Sequence, residues 1–257
     1  MEKKILELVK KNKKYRYLDD SLINDKIRKR IKNEKLLGKR EVESIVKEVR
    51  GELHSSYGSF QLGKKKREKL LEKKDFLSIM KTNVSTKERL NYYEDVYKKI
   101  FSITGKPAKI VDLGCGLNVF SFQFMRLKKL EYYGYDIGGD DVEFINKFIK
   151  MNSKISGKAF LWNALSDDVD MLPKCDVVFM FKLLDSLGKD YKFNESLILK
   201  VMKKTKFIVA SFPTIKLSNR KMKFKERRWL EYMLERVGLK FEKFEIENEI
   251  FYVVSKK

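Results

Sequence analysis

The chain has 257 residues, 58 Lys and Arg against 36 Asp and Glu, a formal net charge of +22, one His and two Cys. That length predicts one large domain or two small ones, and 43% hydrophobic with 12% aromatic residues excludes a mostly disordered protein despite 37% charged residues. No apolar run approaches the roughly 18 residues a membrane span needs; Cys115, Cys175 and His54 are too few for a disulfide scaffold or an ordinary structural zinc site, and a His-based triad would depend on His54 alone.

Residues 1–80 read as a small helical bundle. Apolar positions recur at helical spacing through Ile5, Leu6, Leu8 and Val9, then Leu22, Ile23, Ile27 and Ile31, then Val42, Ile45, Val46 and Val49. Asp19, Asp20 and Ser21 mark a helix start. A longer helix is expected from Ser85 to Ile103, capped by Ser85 or Thr86 with Glu88 closing a capping box, and ended by Gly105-Lys106-Pro107. The texture then changes. Strands are expected at Lys109–Leu113, Tyr132–Asp136, Ala159–Trp162, Asp176–Phe181 and Phe207–Phe212, with helical segments between them and near Glu226–Val237. Phe241–Ile246 and Ile250–Val254 read as a terminal hairpin. Alternating β and α elements predict a parallel α/β sheet with helices on both faces.

The charge is clustered. Residues 1–80 carry +11, residues 81–201 carry +3, residues 202–240 carry +9 and the last seventeen carry −1. Two basic segments around a nearly neutral middle predict an anionic partner, with nucleic acid first, because phosphate neutralisation releases counterions. The opening MEKKILELVKKNKK has no uninterrupted apolar stretch, so no secretory signal is expected. A reduced, cytoplasmic setting is the expectation.

Val111-Asp112-Leu113-Gly114-Cys115-Gly116 follows an expected strand and opens a helix. Ligands in open α/β sheets bind beyond the carboxyl ends of the strands. A dinucleotide fingerprint needs a third glycine where Val119 stands, which disfavours NAD. D-x-G-x-G is instead the pattern of S-adenosylmethionine enzymes. Asp136 ends the second strand, where a carboxylate can accept from two vicinal ribose hydroxyls.

With these elements in place, the sequence resembles the Arm-type aminoglycoside-resistance 16S rRNA methyltransferases, which methylate a guanine N7 in the ribosomal decoding site. The resemblance is carried by Lys13-Lys14-Tyr15-Arg16, Leu53 to Gly58, Ser85-Thr86-Lys87-Glu88-Arg89, Asp112 to Asn118, Phe181 to Leu184, and Ser211-Phe212-Pro213-Thr214 with Leu217 and Arg220. It implies a Rossmann-like S-adenosylmethionine-dependent methyltransferase domain over residues 85–257, with a terminal antiparallel hairpin, preceded by a small basic helical RNA-binding domain over residues 1–84. It implies that Arg89 pairs with the cofactor's carboxylate, that Gly114 passes close to the cofactor, and that Asp136 and Ile137 hold the ribose. Asn163, where the family commonly has Asp, and Ala164 would face the adenine, and Phe181 the cofactor and target base. Lys182 would position the target. Lys65, Lys66, Lys216, Arg220, Lys221 and Lys223 would contact RNA.

The implied partner is the small ribosomal subunit through its 16S rRNA, with no membrane, no metal and a monomeric state expected. Asn83, Val119, Ile215-Lys216 and Ser218-Asn219 depart from the family pattern, and the last two pairs fall where RNA would be recognised. Two other readings stay open on the same fold. One is a methyltransferase for another rRNA or tRNA site; the other is a non-catalytic ribosome-binding factor. N7 carries a lone pair and no proton, so no general base is expected.

Overall fold

In the computed structural model, residues 1–31, 37–188, 190–215 and 222–256 are described. Helices α1 (Glu2–Lys10), α2 (Asp20–Arg28) and α3 (Lys39–Ser56) form the amino-terminal part. Each is amphipathic, and the apolar stripes meet in a core of Ile5, Val9, Leu22, Ile23, Ile27, Val42, Ile45, Val49 and Leu53. Asp19 caps α2 by accepting from the Leu22 N–H. Short helices α4 (Arg67–Glu72), α5 (Phe76–Met80) and α6 (Val84–Arg89) follow, then α7 (Tyr93–Thr104).

The expected long helix from Ser85 to Ile103 is two helices. Leu90–Tyr92 interrupts it, and Glu94 and Asp95 occupy the first turn of α7, where the helix dipole favours acids. Its cap also differs. Asn83, not Ser85 or Thr86, is the N-cap, and its Oδ1 accepts from the N–H groups of Ser85 and Thr86. Glu88 is thereby free of a capping role.

Strands β1 (Lys109–Leu113), β2 (Leu130–Asp136), β3 (Ile155–Leu161), β4 (Cys175–Phe181), β5 (Thr205–Pro213), β6 (Lys240–Ile246) and β7 (Glu249–Ser255) alternate with α8 (Phe122–Met125), α9 (Gly139–Met151), α10 (Leu183–Ser186), α11 (Tyr191–Met202) and α12 (Arg228–Arg236). The seven strands make one sheet in the order β3-β2-β1-β4-β5-β7-β6. The first five run parallel; β7 is antiparallel to both β5 and β6. This is the expected Rossmann-like sheet with its terminal hairpin. Its central strands are near-continuous apolar runs because both faces are covered. One face packs Tyr97, Phe120, Ile145 and Phe179 under α5, α7, α8 and α9. The other packs Val178, Met180, Leu197, Ile208 and Leu234 under α10, α11 and α12. Leu71, Ile79 and Met80 belong to the first of these cores rather than to that of α1–α3. The order reverses between β1 and β4, which opens a crevice at their carboxyl ends.

The amino-terminal helices reach that crevice directly. Leu18 bridges Gly138, the Asp19 N–H donates to the Ile137 carbonyl at 3.0 Å, and the Gly139 N–H donates to the Tyr17 carbonyl at 2.8 Å. Beside this bridge, Asp141 at the start of α9 is buried with Arg67. Arg67 Nη1 donates to Asp141 Oδ1 at 2.5 Å, Tyr57 OH to Asp141 Oδ2 at 2.7 Å, and Gln61 Nε2 to the same oxygen at 2.9 Å. Arg67 also donates to Thr82 Oγ1 and Gln61 Oε1. Arg67 and Asp141 side chains are each 2% exposed, so each charge depends on the other. Removing one member of a buried pair strands the other's charge. Arg67→Ala is expected to destabilise the protein by about 3–5 kcal/mol, read as a lowered urea midpoint with an unchanged slope.

Candidate functional site

A cavity of about 240 Å³ lies at the crevice, lined by the ends of β1, β2 and β4, by α6, and by Leu22, Lys26 and Lys29 of α2. Arg89, Gly114, Asp136, Ile137, Asn163, Ala164, Phe181 and Lys182 all line it. Residues up to 93 apart in sequence are brought together because parallel strands present the same end to one side of the sheet.

The turn after β1 is tight. Gly114 has φ +68°, and a Cβ there would meet Leu183 Cδ1 at 3.0 Å. The Gly114 and Cys115 N–H groups donate to the Tyr135 carbonyl, locking the turn against β2. Asp136 is 8% exposed. Its Oδ2 accepts from the Gly116 N–H at 2.8 Å and its Oδ1 from the Gly138 N–H at 3.0 Å. Burial, with Asp141 adding its charge, pushes this carboxyl up to about 6. Asp112, beneath the turn, accepts from Asn118 Nδ2 at 2.8 Å and Tyr132 OH at 2.9 Å. Burial pushes it up to about 7, against those two donors.

Arg89 is 2% exposed and turns inward. Its Nε and Nη2 donate in a fork to the two oxygens of Glu249, each at 2.8 Å. Glu249 is 0% exposed at the start of β7 and also accepts from Ser211 Oγ. Burial alone would discharge both groups, but the pairing wins: Glu249 is held below the usual carboxylate range and Arg89 above the usual guanidinium range. The Arg89 guanidinium stacks on the Phe181 ring at 4.9 Å, and Phe181 stacks on Phe179. Lys182 has φ +56° and ψ +15°, with its N–H held by the Ser211 carbonyl at 3.0 Å.

Asn163 donates from Nδ2 to Ser21 Oγ at 3.0 Å and accepts at Oδ1 from the Leu165 N–H. Its amide oxygen keeps one lone pair. Ser21 is therefore a cavity-side partner supplied by α2. Lys65 and Lys66 are exposed on the turn before α4, next to Lys64, which pairs with Asp140 at 2.5 Å. Lys223 is exposed with its Nζ over the Phe224 ring. Lys216, Arg220 and Lys221 lie outside the described residues. Among the described residues, no group of three His, Cys, Asp or Glu is placed to hold a metal ion, and no helix is long and apolar enough to cross a membrane.

Sequence reasoning missed Glu249, which the hairpin reading placed in a turn. An acid beside the apolar run Ile250–Val254 was the available signal. It also missed Asp141 and Tyr57, whose roles depend on contacts 84 residues apart.

The donor set suits a nucleoside linked to an amino acid. Asp136 spends one acceptor site per oxygen on backbone N–H groups and keeps the others for hydroxyls. Gly114 leaves a cradle that a side chain would fill. Trp162 lines the same cavity, its buried Nε1 without a hydrogen-bond partner among the described residues. Val119, buried where a dinucleotide fingerprint needs glycine, excludes the alternative loop. Fold and cleft together define an S-adenosylmethionine-dependent methyltransferase.

The family is narrower than that class. A family model described as ribosomal RNA methyltransferase (FmrO) matches residues 71–253, and the chain belongs to this family. A 16S rRNA (guanine(1405)-N(7))-methyltransferase of Proteus mirabilis is 29% identical over 252 residues, covering 87% of this chain and 88% of that protein. The 16S rRNA methylase ArmA superposes with a TM-score of 0.59 at 27% identity, over 74% of this chain and 98% of that one. The 16S rRNA methyltransferase RmtF, solved in complex with S-adenosyl-L-homocysteine, superposes with a TM-score of 0.82 at 20% identity, over 100% and 98%. The last likeness speaks for the fold.

The two raised carboxyls give a pH signature. Unfolded aspartates release their protons near pH 4, whereas Asp136 and Asp112 hold theirs to about 6 and about 7. Between those limits the folded state binds more protons, so stability falls as pH rises from about 4.5 to 7, by at most about 1.4 kcal/mol per pH unit per group. Asp141 and Glu249 are shifted down, so their contribution is lost only as pH falls below that window. Thermal unfolding of the ligand-free protein is expected to show this decline, and Asp112→Asn to flatten it between pH 6 and 7.

Proposed function

We propose that the protein methylates N7 of a guanine in the decoding site of 16S rRNA in the small ribosomal subunit, and so confers aminoglycoside resistance. The observation that supports this reading best is the cleft that joins Arg89, Asp136 and Lys182 at the carboxyl edge of the sheet, in a chain of the ribosomal RNA methyltransferase family. The relatives' substrate, as named for the Proteus mirabilis protein, supports guanine N7 as the target atom.

When bound, the cofactor supplies a methyl group on a positively charged sulfonium. The chain's own residues have to orient the partners. Asp136 accepts the ribose hydroxyls, Ile137 and Ala164 pack the nucleoside, and Asn163 offers its remaining lone pair to the adenine. Arg89, whose Nε and Nη2 serve Glu249, has Nη1 to offer the carboxylate. Guanine N7 has no proton to lose, so no side chain needs to act as base, in keeping with a cleft that contains no histidine among its lining residues. Positioning of this kind contributes up to roughly 7–11 kcal/mol to lowering a barrier. Extracting a stacked base costs about a few kcal/mol, which phosphate contacts from Lys65, Lys66, Lys223 and the basic 216–221 segment offset. The helical part at the amino terminus clamps the rRNA. Its contacts to Ile137, Gly138 and Asn163 make it one wall of the cofactor cleft as well.

Two outcomes test this reading. Labelled methyl transfer to purified small subunits, with the modified nucleotide mapped, is expected to place label on a decoding-site guanine N7. Label elsewhere on rRNA or tRNA would keep the chemistry and replace the target, and RNA binding without label would leave a non-catalytic factor. Asp136→Ala is expected to abolish S-adenosylhomocysteine binding by calorimetry while RNA affinity stays within about twofold. Normal cofactor binding by that variant would remove the ribose assignment.

A further inference from the structure

Lys182 lies between two carboxylates of different character. Its Nζ is 2.6 Å from Glu88 Oε2 and 3.6 Å from Glu249 Oε2. Glu249 is fully buried and its oxygens already serve Arg89 and Ser211. It anchors the ammonium from below. The Glu88 side chain is 46% exposed. It stands on α6, one turn from Ser85 and beside Arg89, both of which line the cavity. Glu88 has no capping role in its own helix, since Asn83 supplies the cap.

A Lys–Glu pair whose carboxylate is half-exposed, as Glu88 is, adds modest stability. This one is nonetheless built at a cost. Lys182 is one of the few non-glycine residues with positive φ among the described residues, a conformation disfavoured for an L-residue because Cβ approaches the following carbonyl oxygen. Such local strain at the ligand edge of a sheet points to use rather than stability.

We propose that Glu88 and Lys182 form a reader for the Watson–Crick edge of the target guanine. This inference rests on the guanine reading above. The pair presents a donor, the ammonium, directly beside an acceptor, the carboxylate. Guanine presents the complement: O6 accepts, while N1–H and the N2 amine donate side by side. Lys182 donates to O6. Glu88 accepts from N1–H and N2–H, as an ionised carboxylate has the lone pairs to do. Adenine reverses the order, with an amine donor facing the ammonium and a bare N1 facing the carboxylate, so both contacts become repulsive. Gripping the Watson–Crick edge leaves N7, on the far side of O6, open to the cofactor cavity. A flipped base is commonly read through that edge. Lys182 keeps its bond to Glu88 while it donates to O6, because an ammonium has three donors.

Glu88→Gln retains size and one acceptor but places an amine donor against the guanine donors. A lost hydrogen bond to a charged group predicts a fall of about 10–100-fold in kcat/KM on small subunits, with the affinity for S-adenosylhomocysteine unchanged by calorimetry. Glu88→Asp is expected to recover part of the rate. The decisive comparison uses subunits reconstituted with inosine, which lacks the N2 amine, at the mapped position. Inosine is expected to slow the wild-type protein by about tenfold and the Glu88→Gln variant much less. Three results would overturn the proposal: wild-type rates for Glu88→Gln, cofactor affinity lost in step with activity, or equal inosine penalties in both proteins. The wild-type map separates this from the parent reading, because methylation at an atom other than guanine N7 would overturn the target assignment itself and the reader with it.

Discussion

The buried Arg89–Glu249 fork holds the cleft in shape. It is a charge pair that neither partner can leave, since each group stripped of the other would be an isolated ion in a low-dielectric interior. Through Glu249 it ties the start of β7 to α6; through Ser211 it reaches β5, and through Lys182 it reaches the end of β4. The terminal hairpin is thus more than an edge for the sheet. It delivers the buried carboxylate that holds Arg89 and lies 3.6 Å from the Lys182 ammonium.

A second buried charge pair does the same for the other end of the cleft. Arg67–Asp141 fixes the start of α9, which follows Asp136 by only a few residues. Tyr57 and Gln61 bring the end of α3 onto the same carboxylate. The two pairs bracket the cavity, one beside Phe181 and Lys182 and one beside Asp136. Both link segments far apart in sequence, so the cleft depends on the completed fold. Asp112 and Asp136, by contrast, are buried carboxyls satisfied by neutral donors, and they keep protons to unusually high pH.

The amino-terminal helices also reach the cleft. Leu22, Lys26 and Lys29 of α2 line it, while Leu18, Asp19 and Ser21 bond to Gly138, Ile137 and Asn163 beside it. These contacts tie the position of α2 to the strand end that carries Asp136.

Much of this was legible in the sequence. Short β-rich runs located the strands and period-3.6 patterns most helices, because local residue type and burial periodicity are properties of the chain itself. The glycine turn after β1 and the acid ending β2 were legible for the same local reason: one needs backbone freedom, the other a strand end. What stayed hidden was pairing. Arg89, in the turn before the break at Leu90–Tyr92, meets a partner 160 residues away in Glu249. No local rule distinguishes Glu249 from the other acids of the hairpin, and only the antiparallel register of β7 against β5 buries it. The residue types and the order of elements came from the sequence alone. The tertiary structure decided which charges would be removed from water, and therefore which had to be paired.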